Sequence, residues 1–468
     1  MGSLEEILAG YDGLQAGQEA FYQDLHRHPE LSHQEHRTAG RVAGKLQEYG
    51  AAVQTGIGGT GVVGVLANGA GPTVLLRAEL DALPVKEDTG ADYASTATAK
   101  DAQGHEVPVA HACGHDMHMS CLLGMVKLMS DHRDQWSGTL LPLFQPAEET
   151  GDGAQAMVDD GLLQRIPVPD VALAQHLLSG VAGTVLTRSG PFMATEDSIN
   201  VTVYGKGGHG ATPQNTIDPV VLAAMAVIRL QTIVSREVAP GEIAVVTVGS
   251  VQAGTRSNLI PDHALLELNL RSYSEQTHQR MLASVQRIVR AESQASGSPR
   301  DPDFDTIGSF PLTVNEPATT DRVASAFAAH FGDHAGEIDR QTVSEDFSNI
   351  PNAAGVPYTY WALGYTDEKT YRAAEQAGRL QDLISNHSPK FLPPLQPCLR
   401  TGTEALTTSA LAWLAQQIKL RDGDWTRDGH WKARHYPARR RRGRHPGRGR
   451  GDGLPGCGEL SEVSGHGR

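Results

Sequence analysis

Thr139-Leu-Leu-Pro-Leu-Phe-Gln-Pro-Ala-Glu-Glu149 is the stretch on which the fold turns. Thr139–Phe144 is a short apolar run closed by Pro146, which reads as a buried strand, and two adjacent carboxylates stand at its C-terminal end. Outward from it the same punctuation repeats. Gly61–Leu66, Thr73–Leu76 and Val171–Ala174 read as short strands rich in Val, Leu and Ala. Helices are predicted over Ser3–Gln18 and Glu35–Tyr49, the latter stopped by Gly50, and from His115 on the spacing of Met117, Leu122, Met125 and Leu128. The polar, Gly/Ala/Thr-rich segment Ala82–Ala110 reads as loop. Strands alternating with helices predict an α/β layer with a largely parallel sheet. In such sheets chemical groups gather at strand C-termini and at the helix starts that follow.

Around Pro191 the texture changes. Strand Ser198–Tyr204, amphipathic helix Pro219–Ser235, strands Ile243–Val251 and Leu265–Arg271, helix Gln276–Ala291 and a strand beginning at Asp303–Thr306 follow one another. That β-α-β-β-α-β order is the ferredoxin-like unit. Helices Asp321–Phe331 and Thr403–Lys419, with strand Val356–Leu363 between them, return to the first pattern. The expected organisation is therefore an α/β domain of residues 1–190 and 311–420, with a small α+β domain, residues 191–310, inserted into it.

The chain has 468 residues, 40 Lys/Arg against 54 Asp/Glu and a formal net charge of −14. The charge is uneven: residues 421–468 hold 12 Lys/Arg and 6 Asp/Glu, which leaves 28 and 48 for the body. A body with a balance of −20 repels polyanions, so no nucleic acid is expected as its partner. The Arg439–Arg442 run and the arginines after it sit among glycines and prolines without apolar periodicity, the composition of a disordered basic tail over 421–468. No uninterrupted apolar run approaches the roughly 20 residues of a membrane helix, and Met1–Tyr11 lacks the basic start of a secretory signal. Four scattered cysteines, with no CxxC among them, fit a reducing compartment. A cytoplasmic protein with no membrane partner is expected.

Chemistry concentrates in His111-Ala-Cys-Gly-His-Asp-Met-His118: three histidines, one cysteine and one aspartate within eight residues. A lone histidine is usually a satisfied polar residue, whereas thiol and imidazoles together suit Zn²⁺, or Mn²⁺ and Co²⁺ when carboxylates join. Of the pair Glu148-Glu149, one carboxylate can hold the cation while its neighbour carries a proton. Other chemistries are missing their signatures. There is no H-x-E with a later P-C-x-x-C, no G-x-S-x-G, and Gly205-Lys-Gly-Gly-His-Gly210 lacks the phosphate-loop order.

These residues, with Leu25-His-Arg-His-Pro-Glu-Leu-Ser32, Arg77-Ala-Glu-Leu-Asp-Ala-Leu-Pro84, Gln145–Glu149, Gly207-Gly-His-Gly-Ala-Thr-Pro213, Asn258-Leu-Ile-Pro-Asp262, Ser344-Glu-Asp-Phe347 and His387-Ser-Pro-Lys-Phe391, resemble the M20 metallopeptidase family. The resemblance runs in order from about residue 20 to 418. It is narrower still to the amidohydrolase branch of hippurate, N-acyl-amino-acid and auxin-conjugate hydrolases.

The resemblance implies an α/β metallohydrolase domain with an inserted ferredoxin-like lid that dimerises. It implies metal ligands at Cys113, His115, Glu149, His176 and His387, a general base at Glu148 and a ligand-orienting aspartate at Asp81. His209 matches a lid histidine that reaches the partner's active site, Asn258 a lid residue near substrate, and Arg271 a candidate for the substrate carboxylate. One or two ions of Mn, Zn, Co or Ni, a homodimer, and hydrolysis of an N-acyl amino acid to a carboxylate and a free amino acid are the corresponding expectations. A dipeptidase or aminopeptidase of the same family is the alternative, and a metal-dependent binder without catalysis a second. Two departures stand out: Glu79 where the branch more often has Asp, and Leu-Leu-Ser-Gly after His176.

Overall fold

The computed structural model describes residues 2–415. The strand that opened the reading, Gly138–Gln145, lies inside an eight-stranded sheet. Across it the order is Ala52–Ile57, Gly61–Asn68, Gly138–Gln145, Thr73–Glu79, Val171–Val181, Tyr358–Thr366, Val185–Thr187 and Ala335–Glu337. The four central strands, Gly138–Gln145 to Tyr358–Thr366, are parallel. The first two pairings and that of Tyr358–Thr366 with Val185–Thr187 are antiparallel. The sheet is thus mixed, which corrects the largely parallel one expected. The reason is local. Ala52–Ile57 and Gly61–Asn68 are joined by a tight turn through Gly58 and Gly59, both at positive φ, and a turn that short can only reverse the chain.

The parallel centre is buried on both faces, and its side chains alternate between two apolar clusters. Val74, Leu76, Leu140, Val171 and Leu173 face one of them, and Leu75, Leu141, Ala172 and Ala174 the other. Helix His115–Asp131 lies in the first cluster and is buried almost all round.

Elsewhere local signals missed. Ser3–Gln18 is two helices, Gly2–Ala9 and Tyr11–Arg27, parted at Gly10, where a Cβ would meet Leu128 and His132. The loop expected over 82–110 contains the hairpin Thr98–Lys100/Glu106–Pro108. The last helix runs Leu395–Leu414, and the remainder of its expected span, like the tail over 421–468, lies outside the described residues.

Residues 195–310 form a separate four-stranded sheet in the order Ala244–Ala253, His263–Ser272, Thr195–Tyr204, Asp303–Phe310, antiparallel throughout. Helices Pro219–Thr232 and Glu275–Ala295 cover one face, capped by Asp218 and Ser274. Alternation is strict along Thr195–Tyr204: odd-numbered residues are buried and even-numbered ones face the helix-free side. The chain enters and leaves this layer through paired strands, Gly190–Met193 against Thr313–Asn315. Among the described residues, Pro219–Glu237 is long and apolar enough by composition to cross a membrane, a length the apolar runs alone did not suggest. Leu222, Ala223, Ala226 and Leu230 on it are buried against the sheet, while Val220, Val221, Met225 and Ile228 are exposed.

Candidate active site

The parallel strands deliver the site. Thr73–Glu79 runs on into Asp81, Gly138–Gln145 into Glu148 and Glu149, Val171–Val181 carries His176, and helix His115–Asp131 starts at His115. Gly114, at φ 91°, turns the chain into that helix, and a Cβ there would lie 2.7 Å from the Leu177 side chain. Ala147 holds a left-handed conformation (φ 50°), strained for a residue with a Cβ, just before the two glutamates. Glu35, fully buried, fastens that turn by accepting from the Ala147 backbone N–H at 2.8 Å and from Thr60 Oγ1 at 2.7 Å.

The expected ligand residues converge. Cys113 Sγ is 3.5 Å from His176 Nε2, and His387 Nε2 is 3.4 Å from Glu149 Oε2. His115 Nε2 is 3.7 Å from Glu148 and 3.8 Å from Glu149. Among the described residues these side chains fall into three overlapping groups, Cys113/Glu149/His387, His115/Glu148/Glu149 and Glu79/His115/His118/His176, with Glu149 in the first two and His115 in the last two. Asp81 sits behind them: its carbonyl accepts from His115 Nδ1 at 2.9 Å, its carboxylate lies 3.3 Å from the same nitrogen, and it also accepts from the Glu149 backbone N–H. That contact directs His115 Nε2 outward.

The donor set fits a divalent cation. His115 Nε2 and Glu149 Oε1 are buried without a hydrogen-bond partner. Burial, then the neighbouring His118, hold the His176 imidazole well below its usual range, and burial with His115 lowers His387. Neutral imidazoles of this kind are ligands. Burial and the Glu149 charge push the Cys113 thiol well up, so its thiolate needs a positive charge beside it. Burial, then Glu345 and Glu149, push the Glu148 carboxyl well above the usual range.

Beneath the ligands lies a charged network that the sequence reading did not anticipate. Arg77 is fully buried on the central strand. Its Nε donates to Gln145, and its two terminal nitrogens donate to Glu79, Glu345 and Asp346. All five N–H groups thus have acceptors, which is what lets the charge be buried. Glu79 accepts from His118 Nδ1 at 2.8 Å, and His118 Nε2 accepts from the Leu177 backbone N–H at 3.0 Å, so His118 is satisfied and braces the segment beside His176. On the other side one oxygen each of Glu148, Glu345 and Asp346 lie within 4.8 Å of one another. Asn386 donates to the carbonyls of Cys113 and Leu177. The signal for Arg77 was visible: two charges, Arg77 and Glu79, in a strand otherwise apolar.

A cavity of about 340 Å³ opens over the ligands, with Leu178, Met193, Phe310, Val343, Glu196 and Arg271 among its walls. Arg271 therefore reaches it. His209 and Asn258 do not: His209 is exposed on a two-stranded ribbon, Gly208–His209 with Leu259–Ile260, and Asn258 is exposed just before the second of these strands, outside this chain's cavity.

Fold and site define a metal-dependent hydrolase. The model of Peptidase family M20/M25/M40 matches residues 75–384, and the chain belongs to that family. It is 34% identical over 372 residues to thermostable carboxypeptidase 1 of Saccharolobus solfataricus, covering 78% of this chain and 88% of that one. It is 34% identical over 350 residues to the hippurate hydrolase of Campylobacter jejuni, covering 74% and 87%. Among solved structures it is similar to a Bacillus subtilis dinuclear metal binding peptidase of the M20 family, at TM-score 0.67 and 26% identity over 86% of this chain and 98% of that one. The protein is a metal-dependent enzyme acting on amides.

Proposed function

We propose that this enzyme hydrolyses the amide bond of N-acyl amino acids, releasing a carboxylate and a free amino acid. The observation that carries the reading is Glu148: an almost buried carboxylate lining the cavity, within reach of His115 and Glu149, whose side chain makes no hydrogen bond among the described residues. The named activity of the Campylobacter relative points the same way.

Cys113, His115, Glu149, His176 and His387 would hold one or two ions of Mn, Zn, Co or Ni, with the shared Glu149 supporting two. A divalent cation bound there supplies the charge that polarises an amide carbonyl and acidifies water. Glu148 takes the proton of the attacking water and returns it to the departing nitrogen, a task favoured by its raised proton affinity. Asp81 keeps His115 in the tautomer whose Nε2 faces the site. The apolar walls, Leu178, Met193, Phe310 and Val343, take the acyl group and keep bulk water off it.

Residues 191–310 act as lid and dimerisation domain in this reading, inserted between the halves 1–190 and 311–420 of the catalytic domain. The exposed apolar side chains Val220, Val221, Met225 and Ile228 support a homodimer. The position of His209 and Asn258 outside their own cavity supports their service in a partner's. The free thiols Cys113, Cys121 and Cys398 support a cytoplasmic setting.

The test is a panel of N-acetyl, N-benzoyl and long-chain N-acyl amino acids, with free dipeptides, assayed after loading with each metal. Cleavage of dipeptides alone would replace this reading by the peptidase one, for which the Saccharolobus relative speaks. Glu148→Gln is expected to lower kcat by about 10²–10⁴-fold with metal content unchanged, and Cys113→Ala to lose metal by elemental analysis. A Glu148→Gln enzyme with near-normal kcat would remove the base from the scheme.

A further inference from the structure

A second cavity, of about 360 Å³, borders the segment that carries His387, and its volume is within the range of small-molecule sites. Tyr93, Leu383, Ile384 and Leu392 are among its walls, and none of the five expected metal ligands lines it. The segment is a partition. Leu383, Ile384 and Lys390 line this second cavity, whereas Asn386 and His387 between them line the catalytic one. The partition is held at few points. The Ile384 carbonyl accepts from the Tyr365 hydroxyl at 2.9 Å, and the His387 N–H donates to the Ala112 carbonyl at 2.7 Å. Helix Glu368–Gln376, which precedes it, has no buried residue. The His387 side chain is 54% exposed, the most exposed of the five.

Two charged side chains stand in these apolar walls, Asp367 and Lys390. Asp367 is committed. It caps helix Glu368–Gln376, its Oδ1 accepting from the Thr370 N–H at 3.0 Å and from Thr370 Oγ1 at 3.1 Å, at the helix end where the dipole favours a negative charge. Lys390 is not committed. Among the described residues its ammonium has no ion-pair or hydrogen-bond partner, and only its backbone N–H is engaged, donating to Ser388 Oγ at 3.2 Å. A free cation at the rim of an apolar cavity complements an anion with an apolar body. We propose that this cavity is a second ligand site, for a monocarboxylic acid with an apolar body. The carboxylate pairs with Lys390, and the body lies against Tyr93, Leu383, Ile384 and Leu392. Occupation ties Lys390 to Ile384 across His387 and so steadies the partition between the two cavities. The acid released in the proposed reaction belongs to this class, but the site does not rest on that reading.

The experiment titrates octanoate and octanamide into the metal-loaded full chain by calorimetry. Octanoate is expected to bind more tightly than octanamide. Lys390→Met should weaken octanoate about fivefold, the upper range for one exposed pair, and leave octanamide unchanged. Lys390→Arg, which keeps the charge, should restore octanoate binding, and Ile384→Ser should weaken both compounds. Hydrogen exchange is then read by mass spectrometry: octanoate should slow the amides of residues 383–391 in wild type and not in Lys390→Met. Octanoate held only at the catalytic cations would bind Lys390→Met as tightly as wild type, and that result overturns the proposal. So does no octanoate binding to wild type, an equal loss for both compounds in Lys390→Met, or exchange at 383–391 that octanoate does not slow. Lys390 is exposed, so its replacement should leave the circular dichroism intact. No hydrolysis is measured, so failure of the proposed reaction and failure of this site are read separately.

Discussion

The floor and the roof of the cavity are built on opposite principles. The floor is the end of a sheet buried on both faces, where Arg77, Glu79, Asp81, Glu345 and Asp346 are each 1% exposed or less and tied to partners on several elements. The roof is one face of a sheet whose other face carries the helices, and its polar residues Glu196, Asn269 and Arg271 are part-exposed, bonded to each other and, through Arg271, to Thr342 and Ser344. Charges in the floor have one arrangement that satisfies them, because burial makes every unpaired group expensive. Charges in the roof can exchange partners with water or substrate at small cost. The difference makes the floor the rigid part of the cavity and the roof the part whose polar groups can rearrange.

The comparison breaks most directly at Arg77. Arg77→Met strips the compensation from three buried carboxylates and is expected to destabilise the fold by about 3–5 kcal/mol, measured by urea unfolding. A loss below 1 kcal/mol would mean the floor is not held by its charges. The next probe is pH. His26 lies between Asp116 at 2.6 Å and Glu87 at 3.1 Å; burial alone would lower its pKa, but these partners raise it to about 9. A folded pKa above the unfolded value near 6.5 gives stability that is complete below pH 6.5 and lost as pH rises through about 9. That contribution is on the order of 3 kcal/mol. Thermal unfolding at pH 6.5 and 9.5 should show the loss in wild type and a much flatter profile in His26→Gln; parallel profiles would contradict it.

On the other layer the effects should shrink. Ile228→Glu, on the exposed apolar face, is expected to weaken the proposed dimer by about 2 kcal/mol while leaving the monomer's circular dichroism intact; sedimentation velocity at several concentrations decides, and an unchanged dimer moves the interface elsewhere. Ser274→Ala removes the cap that accepts from the Thr277 backbone N–H and should cost about 1 kcal/mol. If this variant proved as damaging as Arg77→Met, the contrast between the layers would collapse.

Legibility followed the same division. Cys113, His115 and Glu148-Glu149 could be read because short spacing puts metal-competent groups at a helix start and a strand end, where little freedom remains. His176 and His387 come from distant segments and needed the family resemblance. Arg77 and Glu79 stand close in sequence, but nothing local announces Glu345 and Asp346, 268 and 269 residues away along the chain, so the buried unit could not be read. The hairpin at Thr98–Lys100 carries only three residues per strand, below the length at which alternation can be recognised.

Sequence alone determined the α/β alternation, the β-α-β-β-α-β succession and the donor clusters at Cys113/His115 and Glu148-Glu149, because periodicity, turn residues and donor chemistry are local properties. Tertiary structure decided three things. The sheet is mixed, because short turns reverse the chain at both edges, one through Gly58 and Gly59 and one through Gly183 between Val171–Val181 and Val185–Thr187. Arg77 and its carboxylates form a single buried unit, because only burial forces opposite charges together across so much chain. And Arg271, which the resemblance implies as a candidate for the substrate carboxylate, lies in an ion pair with Glu196, because antiparallel register sets the two side by side.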